Sequence, residues 1–507
     1  MTHGRKGRGP LGALTVAAVA LALAVTGCSA ETDEQAAGRS ATPMPSTDAS
    51  PPGGTPSPSS GSTGGATGSP TKPATSAPAA LGAKWDWGRY TEFEPFLKTM
   101  SGGRTYYEVT WCDVEESQGA RDWSTLDRIA DRSQKVGVTM MLKLRVGRCW
   151  ATGGEAQYER GRKTESAMPK DMGTYRAWVR DAVLRYSAKG IHEYAIENEI
   201  NSKSFWAGTP QEFATLAETA AKEIRAADRK ALVVDAGLSS TTYGYGLSKW
   251  LLEQGREADA ITAYNRYYER RFGTRGNKIV EIRDRAGLEQ ALTSEQGARN
   301  LTYLALMNDL ARRKVVDVRQ IHFYETYSSV PALFSYLRAT TPASTPIEAW
   351  EVGRFARTVD AETAERDDEM LKTMSLVLAE GATVAIWLPL AFDPAGRNSD
   401  EPRYGLLEPD GRVREAGRLF QAMLDASRGA RVVKVDDAGL TGVAFEKPGS
   451  TTAFVWADDK ITIDLGPGES ASPVGKASEG RSGRVTVDTK PLQLVLKSPV
   501  KSFLEAQ

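Results

Sequence analysis

The chain has 507 residues, and its 64 Lys and Arg balance 64 Asp and Glu to a formal charge of zero. Nothing in that balance draws it to nucleic acid or to an acidic membrane face, so neither is an expected partner. Three scattered histidines and three cysteines make no metal-ligand cluster, and no Gly-x-Ser-x-Gly elbow follows a strand-like run, so metal-dependent and serine-dependent hydrolysis have little support.

In chain order, Arg5, Lys6 and Arg8 come first, followed by an apolar run from Leu11 to Val25 that is too short for a permanent spanning helix. The run closes on Val25-Thr26-Gly27-Cys28, which resembles the lipobox of bacterial lipoproteins. That resemblance implies that residues 1–28 are a lipoprotein signal peptide and that Cys28 becomes the lipidated first residue. The expected location is the outer face of the bacterial cell membrane, with the lipid anchor as the only membrane contact; ordinary secretion is the alternative. Residues 29–81 are rich in Ser, Thr, Pro, Gly and Ala without apolar periodicity and are expected to be a linker. A chain of about fifty such residues has a root-mean-square reach of roughly 40 Å.

From 82 to 428 strand-like and helical runs alternate. Trp85 to Gly88 is the candidate first strand, and Arg104 to Trp111, rich in aromatic and β-branched residues, is the second. Leu126, Ile129, Ala130 and Ser133 share one face of a helix that stops at Gly137. Val138 to Val146 is the third strand. Tyr175, Trp178, Val179, Ala182, Val183 and Tyr186 mark a helix ending at Gly190, and His192 to Asn198 is the fourth strand. Thr209-Pro-Gln-Glu212 is a capping box with proline at the first helical position. Ala231 to Ala236, Val316 to Tyr324, Pro346 to Glu351 and Ala382 to Leu390 complete the strands, with Tyr264 to Lys278 read as an insertion. Eight strand–helix units and no dinucleotide-type glycine fingerprint predict an α/β fold, a (β/α)8 TIM barrel, and no cofactor. Residues 429–507 change to short alternating runs separated by turns such as Lys447-Pro-Gly-Ser450, which predicts a small C-terminal β-sandwich domain.

Cys112 and Cys149 fall just past the ends of strands two and three. Neighbouring strands lie about 4.8 Å apart, within reach of a disulfide, and an exported chain permits one. Closing that loop contributes about 4 kcal/mol in the chain-entropy model; two separate thiols are the alternative.

Two strands end on acids: Tyr194-Ala-Ile-Glu-Asn198-Glu199-Ile-Asn201 and Pro346-Ile-Glu-Ala-Trp350-Glu351-Val-Gly353. In a barrel, strand ends carry the chemistry, and acetal cleavage needs one carboxyl that donates a proton beside one that stays ionised. Asn198-Glu199 and Glu351-Val-Gly353 resemble the retaining glycoside hydrolases of clan A, the four-seven superfamily. His322-Phe-Tyr324 after strand six, Trp387 on strand eight and the run Trp111 to Asp127 extend the resemblance over roughly residues 100 to 427. It implies that Glu199 is the general acid and base, and that Glu351 is the nucleophile of a glycosyl-enzyme intermediate. It further implies that Asn198 bonds a sugar hydroxyl, that Tyr324 with His322 supports Glu351, and that Trp387 forms the floor under the sugar. The implied substrate is a carbohydrate with an equatorial β-D or α-L linkage, acted on by a monomer. The reading requires both carboxyl groups to meet across one open cleft.

Ile200 and Glu197 depart from the clan pattern, and Arg145 is a candidate partner for Glu197. No strand-two arginine stands at the carboxyl end. Glu348, three residues before Glu351, is expected to lie deeper and on the opposite face. Trp150 and Trp206 are candidate stacking residues, though core packing is the plainer reading, and the run Arg266 to Lys278 is read as a solvated helix face. A second reading is a carbohydrate-binding lipoprotein that has lost catalysis on the same barrel.

Overall fold

The computed structural model describes residues 80–152, 165–273, 279–354, 365–392 and 404–507. The expected signal peptide, Cys28 and nearly all of the linker lie outside these residues. Among the described residues no helix is long and apolar enough to cross a membrane.

Eight parallel strands form one sheet: β1 (Ala80–Ala83), β2 (Arg104–Thr110), β3 (Thr139–Arg145), β4 (Glu193–Ile196), β5 (Leu232–Val234), β6 (Arg319–Phe323), β7 (Ile347–Val352) and β8 (Val384–Trp387). The sheet order runs β5-β4-β3-β2-β1-β8-β7-β6. It closes between β5 and β6, where Val234 and Val318 form a parallel bridge and the Asp317 and Asp235 amides donate to the Val233 and Val318 carbonyls at 2.7 and 3.1 Å. The result is the expected barrel.

The intervening helices follow their apolar stripes. Leu126, Ile129, Ala130 and Ser133 are the buried face of Ser124–Lys135, and Tyr175 through Tyr186 face inward from Met172–Ser187. Thr209 caps Pro210–Ala227 through the reciprocal box with Glu212. One strand is not where the sequence pattern put it. Trp87–Arg89 is a single 3-10 turn capped by Asp86, and β1 is the preceding Ala80–Ala83, whose register with β8 runs from Ala80↔Val384 to Ala83↔Trp387. Ala-Leu-Gly-Ala at the end of an alanine-rich linker carries no β-branched signal, so the pairing is dictated by the neighbouring strands.

Inside the barrel Tyr106, Met141, Ala195, Val234, Val318, Trp350, Val384 and Ile386 pack together, while the larger apolar cluster fills the layer between strands and helices. The chain after 430 forms a five-stranded antiparallel sheet and a two-stranded ribbon. Its strands are β9 (Arg431–Asp437), β10 (Leu440–Lys447), β11 (Ser450–Trp456), β12 (Ile461–Asp464), β13 (Ser470–Pro473), β14 (Arg484–Val487) and β15 (Leu492–Leu496). The domain packs on the barrel helix Glu365–Ala379: Lys372 lies over the rings of Tyr327 and Trp456, 5.1 and 5.6 Å from their centroids. Trp456 is buried at this interface.

Candidate active site

β4 stops at Ile196, and the next three residues turn sharply. Glu197 and Glu199 both adopt left-handed backbone, with φ of 68° and 40°. For residues with a Cβ such conformations cost about 1 to 3 kcal/mol each and cluster at functional sites. The turn sends the Glu197 carboxylate back to β3, where it accepts from the Val146 amide at 2.6 Å and lies 3.6 Å from Arg145. The expected Glu197–Arg145 pair is thus formed. Burial nevertheless raises the Glu197 pKa, opposed by Arg145 and the backbone amide.

β7 reaches the same point by a bulge. Ile321 pairs with Ala349, but His322 pairs with Glu351, so Trp350 is an extra residue. A bulge puts two residues opposite one and re-aims the side chains beyond it. Trp350 packs in the barrel interior, and Glu351 also points inward; in regular alternation it would face the helices. Glu348 shares the inward face as well, accepting from the Trp350 indole at 2.6 Å. It lies deeper, as expected, but not on the opposite face, because the bulge resets the alternation.

Glu199 and Glu351 meet. With His322 they present ligand atoms that all lie within 4.8 Å of one another. The imidazole Nδ1 is 2.8 Å from Glu199 Oε1 and 3.4 Å from Glu351 Oε2. Tyr324 donates to Glu351 Oε2 at 2.7 Å, and Tyr106 donates to Oε1 at 3.0 Å. Lys143, inward-facing on β3, donates to Glu351 Oε1 at 2.6 Å and to Asn198 Oδ1 at 2.5 Å. Its ammonium also stands 3.4 Å from His322 Nε2; an ammonium only donates, so Nε2 accepts and Nδ1 carries the ring proton toward the carboxylates.

The two acids therefore sit in different surroundings. Every partner named for Glu351 is a donor, which is the environment of an anion. Burial pushes the Glu199 pKa up, and the charge of Glu351 adds to this, while His322 and Lys143 oppose it. Among the described residues, Glu199 Oε2 and Asn198 Nδ2 are buried without a partner. An acid oxygen and an amide N–H are thus left available side by side in sequence.

Two glycines make room. A Cβ on Gly353 would lie 2.8 Å from the Tyr324 ring and 2.4 Å from the Leu388 carbonyl oxygen, so the Glu-x-Gly pattern lets Tyr324 reach Glu351. Gly237 has φ of 63°, and a Cβ there would lie 2.5 Å from His322 Nε2.

The expected exposure of the pair is not seen at the acids themselves: Glu199 is 1% exposed and Glu351 fully buried. Trp387 is buried at the end of β8, and its indole donates to the Tyr404 carbonyl at 2.9 Å. Trp206 is buried and Trp150 packs edge-on against Trp111 at 5.5 Å, so both serve as core rings. Arg271 is no solvated residue; its Nε clamps the Glu325 carboxylate at 2.9 and 3.1 Å, directly after Tyr324, while 274–278 lie outside the described residues. Cys112 and Cys149 do form a disulfide, with Cα atoms 5.7 Å apart.

Lys143 and Tyr106 were missed by sequence reasoning. Their signal was there: a strand buried on both faces reads as an apolar run, and Met-Met-Leu-Lys143-Leu-Arg145 interrupts it twice on one face.

Solved glycoside hydrolases share this architecture. A family 39 glycoside hydrolase from the gut symbiont Bacteroides cellulosilyticus WH2 matches with a TM-score of 0.56 at 14% identity, covering 83% of this chain and 81% of its own. A family 39 β-xylosidase from Caulobacter crescentus gives 0.51 at 12% identity, over 84% of this chain and 98% of its own. The catalytic domain of the family 30 xylanase C from Talaromyces cellulolyticus gives 0.50 at 12% identity, over 84% and 99%. No protein-family model matches the sequence, and no curated protein is similar to it. The likeness establishes the fold, an α/β TIM barrel followed by an antiparallel β domain, shared with family 39 and family 30 glycoside hydrolases.

Proposed function

We propose that this chain is an extracytoplasmic retaining glycoside hydrolase. The observation that carries the reading is the buried pair at the ends of β4 and β7, with carboxylate oxygens within 4.8 Å and different hydrogen-bond partners. Retaining enzymes hold their carboxyls about 5 to 5.5 Å apart, whereas inversion needs about 6.5 to 9.5 Å for an intervening water. Glu351 attacks the anomeric carbon as Glu199 delivers a proton from its free oxygen to the leaving group. Water then cleaves the glycosyl ester, with Glu199 as base. Asn198 offers its amide N–H to a sugar hydroxyl, and Tyr324, Tyr106 and His322 are positioning residues. Because both acids are buried, a sugar reaches them only if side chains at the carboxyl-terminal mouth give way. The basic start, the apolar run and Cys28 support export and lipid anchoring, and the Cys112–Cys149 bridge suits an oxidising compartment.

The burial favours a second reading, a barrel that binds carbohydrate without turnover. One experiment separates the two. Wild type, Glu199→Ala and Glu351→Ala are assayed on aryl β-D- and α-L-glycosides, xylosides first because structural neighbours include a xylosidase and a xylanase. Turnover lost in both variants, with retained anomeric configuration by NMR, is expected. Binding without turnover supports the second reading, and inversion overturns the double displacement.

A further inference from the structure

Lys143 is fully buried inside the barrel, on the same face of β3 as Met141. Burying an ammonium costs several kcal/mol unless it is paired and hydrogen-bonded. Its partners come from three different strands or strand ends: Glu351 of β7, Asn198 after β4 and His322 of β6. The Tyr106 ring of β2 lies beneath it, 4.4 Å from centroid to Nζ. An apolar residue such as its neighbour Met141 would fill that space without the desolvation cost, so packing alone does not account for it.

We propose that Lys143 is a positioning residue for the reaction, one ammonium that fixes the charge of Glu351 and the aim of Asn198 together. The inference rests on the reading of Glu199 and Glu351 as the reacting pair. By taking Asn198 Oδ1, the ammonium turns the amide so that Nδ2, unpartnered among the described residues, is left for a sugar hydroxyl. In the second half of the reaction the bond from the anomeric carbon to Glu351 breaks, and its electron pair returns to the carboxylate beside the ammonium. Water supplies the new bond to carbon, and its proton goes to Glu199. Lys143 therefore makes Glu351 a better leaving group at the step where the glycosyl ester is cleaved.

Among the described residues, other charged groups near this point have partners of their own. Glu108 of β2 lies 3.6 Å from Lys84 and 3.4 Å from Arg145. Glu197 is held by Arg145 and the Val146 amide, and Tyr324 faces the other oxygen of Glu351. Lys143 is in direct contact with Glu351, at 2.6 Å.

The test is the pH dependence of turnover for Lys143→Met and Lys143→Arg on an aryl glycoside cleaved by the wild type. Lys143→Met is expected to move both limbs of the bell toward higher pH, the acid limb by about one unit or more, because each carboxyl loses a nearby positive charge. Lys143→Arg restores part of the shift. A drop in rate with unmoved limbs overturns the proposal and leaves Lys143 a packing residue. The NMR titration of the Glu351 δ-carbon, assigned with Glu351→Gln, gives the same answer without turnover. If wild type cleaves nothing, the enzymatic reading fails, while a raised Glu351 midpoint in Lys143→Met still upholds the charge coupling; an unchanged midpoint overturns it.

Discussion

The two mouths of the barrel hold acid pairs that are treated in opposite ways. At the carboxyl-terminal mouth Glu351 receives an ammonium and two phenols, and Glu199 receives an imidazole. At the amino-terminal mouth Glu348 and Glu193 share less. Arg104 reaches Glu193 at 3.0 Å, the Trp350 indole reaches Glu348, and Glu193 Oε2 has no partner among the described residues. Burial, reinforced by Glu193, pushes the Glu348 pKa up to about 8. One strand, β7, thus carries one acid into a ring of donors and another, a short way back along the same backbone, into surroundings that favour its neutral form. Burial alone does not make a reactive carboxylate; the donors supplied by other strands decide it.

Substitutions at the two mouths should separate along this line. Glu351→Ala is expected to lower kcat/KM by about a thousandfold or more while leaving the fold intact by circular dichroism. Glu199→Gln should cost about a hundred- to ten-thousandfold, least for substrates with acidic leaving groups and with added azide as a nucleophile. The double variant Cys112→Ser/Cys149→Ser frees a loop spanning 37 residues and should destabilise by roughly 2 to 4 kcal/mol in urea unfolding. The bridge ties the residues just beyond β2 and β3, so the loss should be accompanied by faster amide exchange at the carboxyl-terminal mouth.

Glu348→Gln should act in the other direction. The folded pKa of Glu348, about 8, lies above the ordinary 4.5, so ionising it costs the folded state. That cost is absent below the unfolded pKa, grows as pH rises through the window, and is complete above the folded pKa. The variant should therefore match wild type at low pH and exceed it above the window by roughly 2 to 4 kcal/mol, with activity little changed. A flat difference across pH would remove the contrast between the mouths. Tyr106→Phe is the finest probe: it deletes one donor to Glu351 and should lower kcat/KM by about tenfold or somewhat more.

Much of this arrangement was readable from local chemistry. Glycines 137 and 190 stop helices in left-handed backbone, Thr209 and Glu212 form their box, and strands two to eight occupy the apolar runs that suggested them. Glu199, Glu351, Asn198, His322 and Tyr324 converge as strand-end residues of a barrel should. What escaped detection depends on pairing at a distance. The Ala80–Ala83 strand has no propensity of its own, the extra residue in β7 is invisible without its partners, and the burial of Arg271 comes from Glu325, distant in sequence.

The irregularity at Trp350 has a consequence for how such a chain tolerates change in length. Excising the Trp350 codon would leave Glu351 directly after Ala349, still paired with His322 and inward on a regular strand, whereas keeping every residue without the bulge would swing the carboxylate out among the helices. Counting residues, not only choosing them, is part of what aims the Glu351 carboxylate.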